Sequence, residues 1–195
     1  MTEPEEAKVR DLDARSLRGL AHPLRIQLLI ALRRHGPATA SMLAERLGES
    51  SGATSYHLRQ LAAHGFIADA PEQGKGRERW WQAADGGLRL DEKLRRDPDP
   101  SVRGAAALFM HELANVHTRE VSTWVGTQGS WSVEWNRASD ISDFTLRLTP
   151  ELAEELVKKM HDLVDSYASL PSLPEDTPDV ETVRVHTHIF PSPPQ

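Results

Sequence analysis

Apolar residues recur at helical spacing in four successive stretches near the start of the chain. Leu12, Leu17 and Leu20 predict a short helix over 12–21, after a first dozen residues with no apolar period. Pro23 suits the first turn of a second helix, whose buried stripe is Leu24, Leu28, Leu29 and Leu32 and whose end is marked by Gly36-Pro37. Thr39 can cap a third helix carrying Leu43, Ala44 and Leu47, closed by Gly48. Ser50 or Ser51 caps a fourth, in which Thr54, Leu58 and Leu61 share a side and Gly65 ends the run. The period then changes. Phe66-Ile67-Ala68 opens a strand, Pro71 to Gly76 supplies turn residues, and Arg77 to Ala83 returns as a second strand.

Asp85-Gly86-Gly87 and Asp97-Pro98-Asp99-Pro100 bracket a short charged connector. Beyond it, Val102, Ala105, Phe109, Leu113, Val116 and Trp124 predict one long helix over 101–125. Ser142 to Leu148 and Val183 to Phe190 alternate like strands. Between them Thr149-Pro150-Glu151 opens a helix with the stripe Leu152, Leu156, Met160, Leu163 and Tyr167. Trp131 to Arg137 alternates, but its flanks have loop composition, and the pattern leaves it open. The expected architecture is mainly α with small β: a winged helix-turn-helix N-terminal domain, then a long dimerisation helix and a small α/β segment. Its expected parts are a flexible tail (1–12), an N-terminal domain (13–84), a linker (85–100), a C-terminal domain (101–190) and a short tail (191–195).

Composition narrows the setting. The 195 residues include no cysteine, which removes disulfides and thiolate metal sites and suits a reducing cytosol. No apolar run is long enough to span a bilayer, and the acidic start lacks the features of a signal peptide, so a cytoplasmic protein without membrane partners is expected. The net charge of −6 is unevenly spread: residues 1–84 hold 12 Lys and Arg against 10 Asp and Glu, and residues 85–195 hold 11 against 19. A basic front and an acidic rear fit a chain whose N-terminal part meets a polyanion.

Residues 39–83 carry that expectation: helix, tight turn, helix, then two strands around a basic loop. A helix fits the major groove of DNA when a second helix braces it across the backbone. Over the recognition helix, 51–63, Tyr56, Arg59 and Gln60 lie opposite Leu58 and Leu61. Ser51 and Ser55 are small enough to let the backbone approach phosphate or base edges. In the wing, 71–80, Lys75, Arg77 and Arg79 place cations where a hairpin tip would reach the phosphates. The plain alternative is an amphipathic helix pair beside a hairpin, without a DNA role.

Leu17-Arg18-Gly19-Leu20-Ala21-His22-Pro23-Leu24-Arg25 resembles the opening of the ArsR-type winged-helix repressors. Ser55-Tyr56-His57-Leu58-Arg59-Gln60-Leu61, followed by Gly65-Phe66-Ile67, resembles their recognition helix, and Gly76-Arg77-Glu78-Arg79-Trp80-Trp81 is similar to the wing of an actinobacterial branch. The resemblance covers 14–84 and loosens beyond. It implies a homodimeric repressor on a palindromic duplex operator, with His57 among the recognition-helix residues and an effector to be sensed.

Effector chemistry is less legible. Phe109, Trp124, Trp131 and Trp135 concentrate bulky apolar side chains after the linker, as a pocket for a small apolar effector would, although a dimer core and domain interface is the better account of them. His117 with Glu120 and His186 with His188 have ligand-like spacing, but two ligands do not make a metal site, and no metal or cofactor is expected. No nucleophile elbow, phosphate-binding glycine loop or His-Glu-x-x-His occurs, so no enzyme is expected. Two other readings stand beside the regulator: a protein-interaction module whose winged helix no longer binds DNA, and a metal-responsive repressor.

Overall fold

A computed structural model describes residues 10–71, 78–84, 88–171, 173–174 and 177–192. It divides into two units, Ala7–Thr123 and Trp124–Gln195.

The N-terminal unit is a winged helix-turn-helix. β1 (Arg10–Leu12) leads into α1 (Ala14–Leu20), whose first turn is capped by Asp13, its Oδ1 accepting from the Ser16 N–H at 2.6 Å. α2 (Pro23–His35) has proline in its first turn and the basic run Arg33, Arg34, His35 in its last. Its cap is His22, whose Nδ1 accepts from the Leu24 N–H at 3.2 Å. β2 (Ala38–Thr39) passes directly into α3 (Ala40–Leu47), capped by the Thr39 hydroxyl as expected. Gly48 ends α3 at φ 68°, a left-handed conformation that costs a Cβ-bearing residue about 1–2 kcal/mol. α4 (Ser51–Ala63) follows α3 after three residues, with Ser50 Oγ accepting from the Ala53 N–H.

β3 (Ile67–Asp69) and β4 (Trp80–Ala83) are antiparallel, with Ile67 opposite Ala83 and Asp69 opposite Trp81. β4 is the central strand, because β2 pairs on its other side through Ala38–Trp81 and Thr39–Trp80. β5 (Leu88–Leu90) runs parallel to β1, and α5 (Glu92–Arg95) and α6 (Pro100–Thr127) follow. The core contains Leu17, Leu20, Leu28, Leu32, Leu43, Leu58, Leu61, Phe66 and Trp81, closed by Leu94, Val102, Ala106 and Phe109. α1 and α4 pass so closely that a Cβ on Gly19 would lie 2.5 Å from the His64 ring.

Several expectations are corrected. Residues 10–12 are not tail: Leu12 is buried and Arg10 to Leu12 pair with Leu88 to Leu90. Residues 88–96 are not a free connector, since that pairing and the burial of Leu94 fix them to the core. The division between units falls at Trp124 rather than near 100, because the first half of α6 buries Val102, Ala105, Ala106 and Phe109.

In the C-terminal unit the stretch left open by the sequence is helical from Val133: α7 (Val133–Ala138) is capped by the Ser132 hydroxyl. α8 (Pro150–Ala168) starts at the expected Thr149 cap and proline. The alternating segments 142–148 and 183–190 form no strands. Extended backbone becomes a strand only with a ladder partner, and among the described residues neither segment has one.

Candidate nucleic-acid interface

α4 presents three sides. Thr54, Leu58 and Leu61 are buried, one helical turn apart or less, against α2 and α3. Tyr56 and Arg59 face outward, with Ser51 and Gly52 exposed at the N-terminal end. Ser55, His57 and Gln60 are half-buried along the two edges. The sequence reading placed Tyr56, Arg59 and Gln60 together on the outer side. The structure keeps the first two there and moves Gln60 to an edge.

His57 belongs to the support of the helix. Its ring lies 4.2 Å from that of His22, and Tyr56 meets it edge-on at 5.1 Å. Its Nδ1 is closed off from solvent without a hydrogen-bond partner. Burial, then the neighbouring His22 and Arg25, hold His57 below the ordinary histidine range, against a weaker pull from Glu49.

Lys75 and Arg77, two of the three expected wing cations, lie outside the described residues. The third, Arg79, is engaged. Its Nε and Nη2 both donate to the Asp69 carboxylate, Nη2 to Oδ2 at 2.7 Å, and its guanidinium lies 4.0 Å over the Trp81 ring. Asp69 is accordingly held below the usual carboxylate range by the hydrogen bond from Arg79. This pairing follows from register: Asp69 faces Trp81 across the hairpin, which sets Arg79 beside both.

Between the wing base, the start of α3 and α4 lies a groove of about 390 Å³. Thr39 and Ser41 line one wall, Ser55 and Arg59 another, and Glu78 and Trp81 the third. Ser41 Oγ donates to Glu78 Oε1 at 3.0 Å, and the exposed Arg59 donates from Nε to the Ser55 carbonyl at 3.2 Å. Hydroxyls and a guanidinium around an open groove beside an outward helix can take phosphate oxygens or base edges. In the sequence, spacing marks Arg59 and small side-chain size marks Ser55, while Thr39 reads only as a cap. Ser41, Glu78 and Trp81 gave no separate signal, because they meet only through the hairpin register.

Phe109 is buried in the core of the N-terminal unit, whereas Trp124, Trp131 and Trp135 belong to the C-terminal unit, and none of them lines the groove or a second cavity of about 180 Å³ formed by Val157, Met160, His161, Thr187 and Ile189. Among the described residues no three His, Asp or Glu side chains are grouped to hold a metal ion. Glu120, considered with His117, is buried and bound at 3.3 Å by Arg34 Nη1. Among the described residues no helix is long and apolar enough to cross a membrane.

The family model described as a helix-turn-helix domain matches residues 20–69. No curated protein matches the chain. Among solved structures, RV1404 from Mycobacterium tuberculosis is similar at 15% identity and a TM-score of 0.33, covering 82% of this chain and 84% of the other. An apo-form mutant of ZitR from Lactococcus lactis is similar at 16% identity and a TM-score of 0.31, covering 76% and 83%. Likeness at that level leaves the argument to the residues of this chain, whose segment 20–69, spanning α2 to β3, is a helix-turn-helix domain.

Proposed function

We propose that this chain is a duplex-DNA-binding transcription regulator of the ArsR type, acting as a homodimeric repressor on a palindromic operator. The observation that carries the reading is α4: a helix braced by α3 through a left-handed glycine turn, buried on one side, with Tyr56 and Arg59 on the other and a groove beside it. Ser51, Ser55, Tyr56, Arg59 and Gln60 are the residues proposed to meet DNA from the recognition helix. His57 positions it from the edge, and Lys75 and Arg77 are proposed to meet DNA from the wing. Arg79 steadies the wing base through Asp69 and Trp81. Two such helices set ~34–36 Å apart by a two-fold axis would read half-sites one DNA turn apart. Trp124, Trp131 and Trp135 remain the aromatic residues with which the C-terminal unit would meet a small apolar effector.

The test is fluorescence anisotropy with a labelled random-sequence duplex at low salt. The wild-type chain should bind with a steep salt dependence. Arg59→Ala should weaken binding and flatten the slope by about 0.9 for each phosphate that goes unneutralised. The acidic total charge and the capture of Arg79 by Asp69 favour a second reading, a protein-interaction module with a winged helix that does not bind DNA. Absence of any salt-sensitive binding would select it.

A further inference from the structure

Among the described side chains Arg25, in the first turn of α2, and Arg10 are the half-buried arginines of the N-terminal unit, and Arg10 donates to three oxygens of its own chain. Arg34 is paired with Glu120, and Arg18, more exposed, with Asp99 at 2.6 Å. Among the described residues Arg25 has no carboxylate partner. Its Nη2 donates to the Arg18 carbonyl at 3.3 Å, and its Nε is shut off from solvent with no acceptor. Burial makes its charged form more costly, and Tyr56, on the outer side of α4, is within electrostatic reach of it. The rings of His57 and His22 lie alongside each other, tilted by 37° with centroids 4.2 Å apart, and among the described residues Glu49 is the one carboxylate acting on His57.

A partly desolvated guanidinium without an anion is unfavourable unless something outside the chain supplies the anion. A guanidinium fork matches two oxygens of one phosphate, and a phenol beside it can donate to a third. We propose that Arg25, with Tyr56 beside it and His22 and His57 as the packed floor, forms a second phosphate seat, in which the DNA backbone is held against the flank of the recognition helix away from the wing. This rests on the DNA-binding reading above and extends the interface from α4 and the wing onto α2. The seat does not depend on the amide groups that open α2, since the Leu24 N–H is already taken by His22.

The experiment measures binding of the full chain to a fluorescein-labelled random-sequence duplex across a salt series, for wild type, Arg25→Gln, Arg25→Lys and Arg59→Ala, with a thermal melt of each. Arg25→Gln should flatten the slope of log affinity on log salt by about 0.9 per chain bound, and Arg25→Lys should restore it. A merely structural role for Arg25 would lower the melting temperature in both variants and leave the slope of the folded protein unchanged. A full slope in Arg25→Gln overturns the seat. If Arg59→Ala flattens the slope in that same series, the DNA reading stands and only the seat falls. A wild-type chain that binds no duplex removes both. In a parallel arm, inorganic phosphate at constant ionic strength is added during the melts. Stabilisation of wild type but not of Arg25→Gln by that ion, with equal DNA slopes, would assign the seat to a free anion and overturn its role on duplex DNA.

Discussion

His57 is half-buried between α4 and the start of α2, with its Nδ1 unpartnered and its protonated form disfavoured by burial, His22 and Arg25. His35 is likewise held low, first by burial and then by Arg46 and Arg34. Both folded-state values lie below the ordinary 6.5, so on acidification the unfolded chain takes up these protons first. The stability associated with the two neutral rings is therefore full above about pH 6.5 and falls as pH drops through the folded values. Urea titrations at pH 7.5 and 5.5 should show the loss, and His57→Gln should shrink the difference between the two pH values while His35 keeps part of it. An identical pH difference in the variant would show that His57 does not titrate as described. At this scale the sequence was informative where spacing decides. The outward positions of Tyr56 and Arg59 follow from a period counted against Leu58 and Leu61. The engagement of Arg79 was not legible, because Asp69 reaches it through a hairpin register that no local pattern states.

Elements with their own stop and start signals were readable for the same reason: the Thr39 cap, Gly48, the Ser50 cap and the Thr149-Pro150 pair act on the nearest backbone groups. The short strands were not. β1 and β2 span three and two residues, too few for a period, and exist because β5 and β4 lie beside them. β1 also reaches α4. Arg10 Nη1 donates to the Gly65 carbonyl at 2.9 Å, its Nη2 donates to the His64 carbonyl and to Ser16 Oγ, both at 3.1 Å, and its guanidinium lies 4.6 Å from the centre of the Phe66 ring. These bonds satisfy carbonyls at the exit of the recognition helix, which the helix itself leaves without partners. Arg10→Ala should cost about 1–3 kcal/mol in urea unfolding. A change within measurement error would mean that solvent serves those carbonyls equally well, and that β1 contributes by Leu12 alone.

The two units differ in kind. Ala7–Thr123 carries the buried core, whereas among the described residues from Trp124 onward none is buried. The stripe of α8 has Leu156 and Met160 half-covered, but Leu152, Leu163 and Tyr167 stay open, the last at 69% exposure. Phe144, at 80%, and Leu146, Val183 and Val185 are open as well. Fixing a backbone costs about 1–2 kcal/mol per residue, and a unit that buries so little has small means of offsetting it alone. A large exposed apolar surface marks a place where another surface sits. DNA is a poor candidate, because the rear of the chain is acidic, with 11 Lys and Arg against 19 Asp and Glu over 85–195. A second copy fits better, since a two-fold axis sets the same apolar stripe against itself and also supplies the paired recognition helices proposed above. Sedimentation equilibrium should therefore give twice the chain mass at micromolar concentration. Leu163→Glu, which places a charge in the middle of the open stripe, should shift the equilibrium toward the single chain by a factor of ten or more, an effect of about 1.4 kcal/mol or greater. It should also lower affinity for a palindromic duplex while sparing the salt dependence of a single recognition helix on random DNA. A chain that sediments as a monomer, or a variant that dimerises as well as the parent, would assign the stripe to some other partner and leave the two half-sites without a protein axis to match.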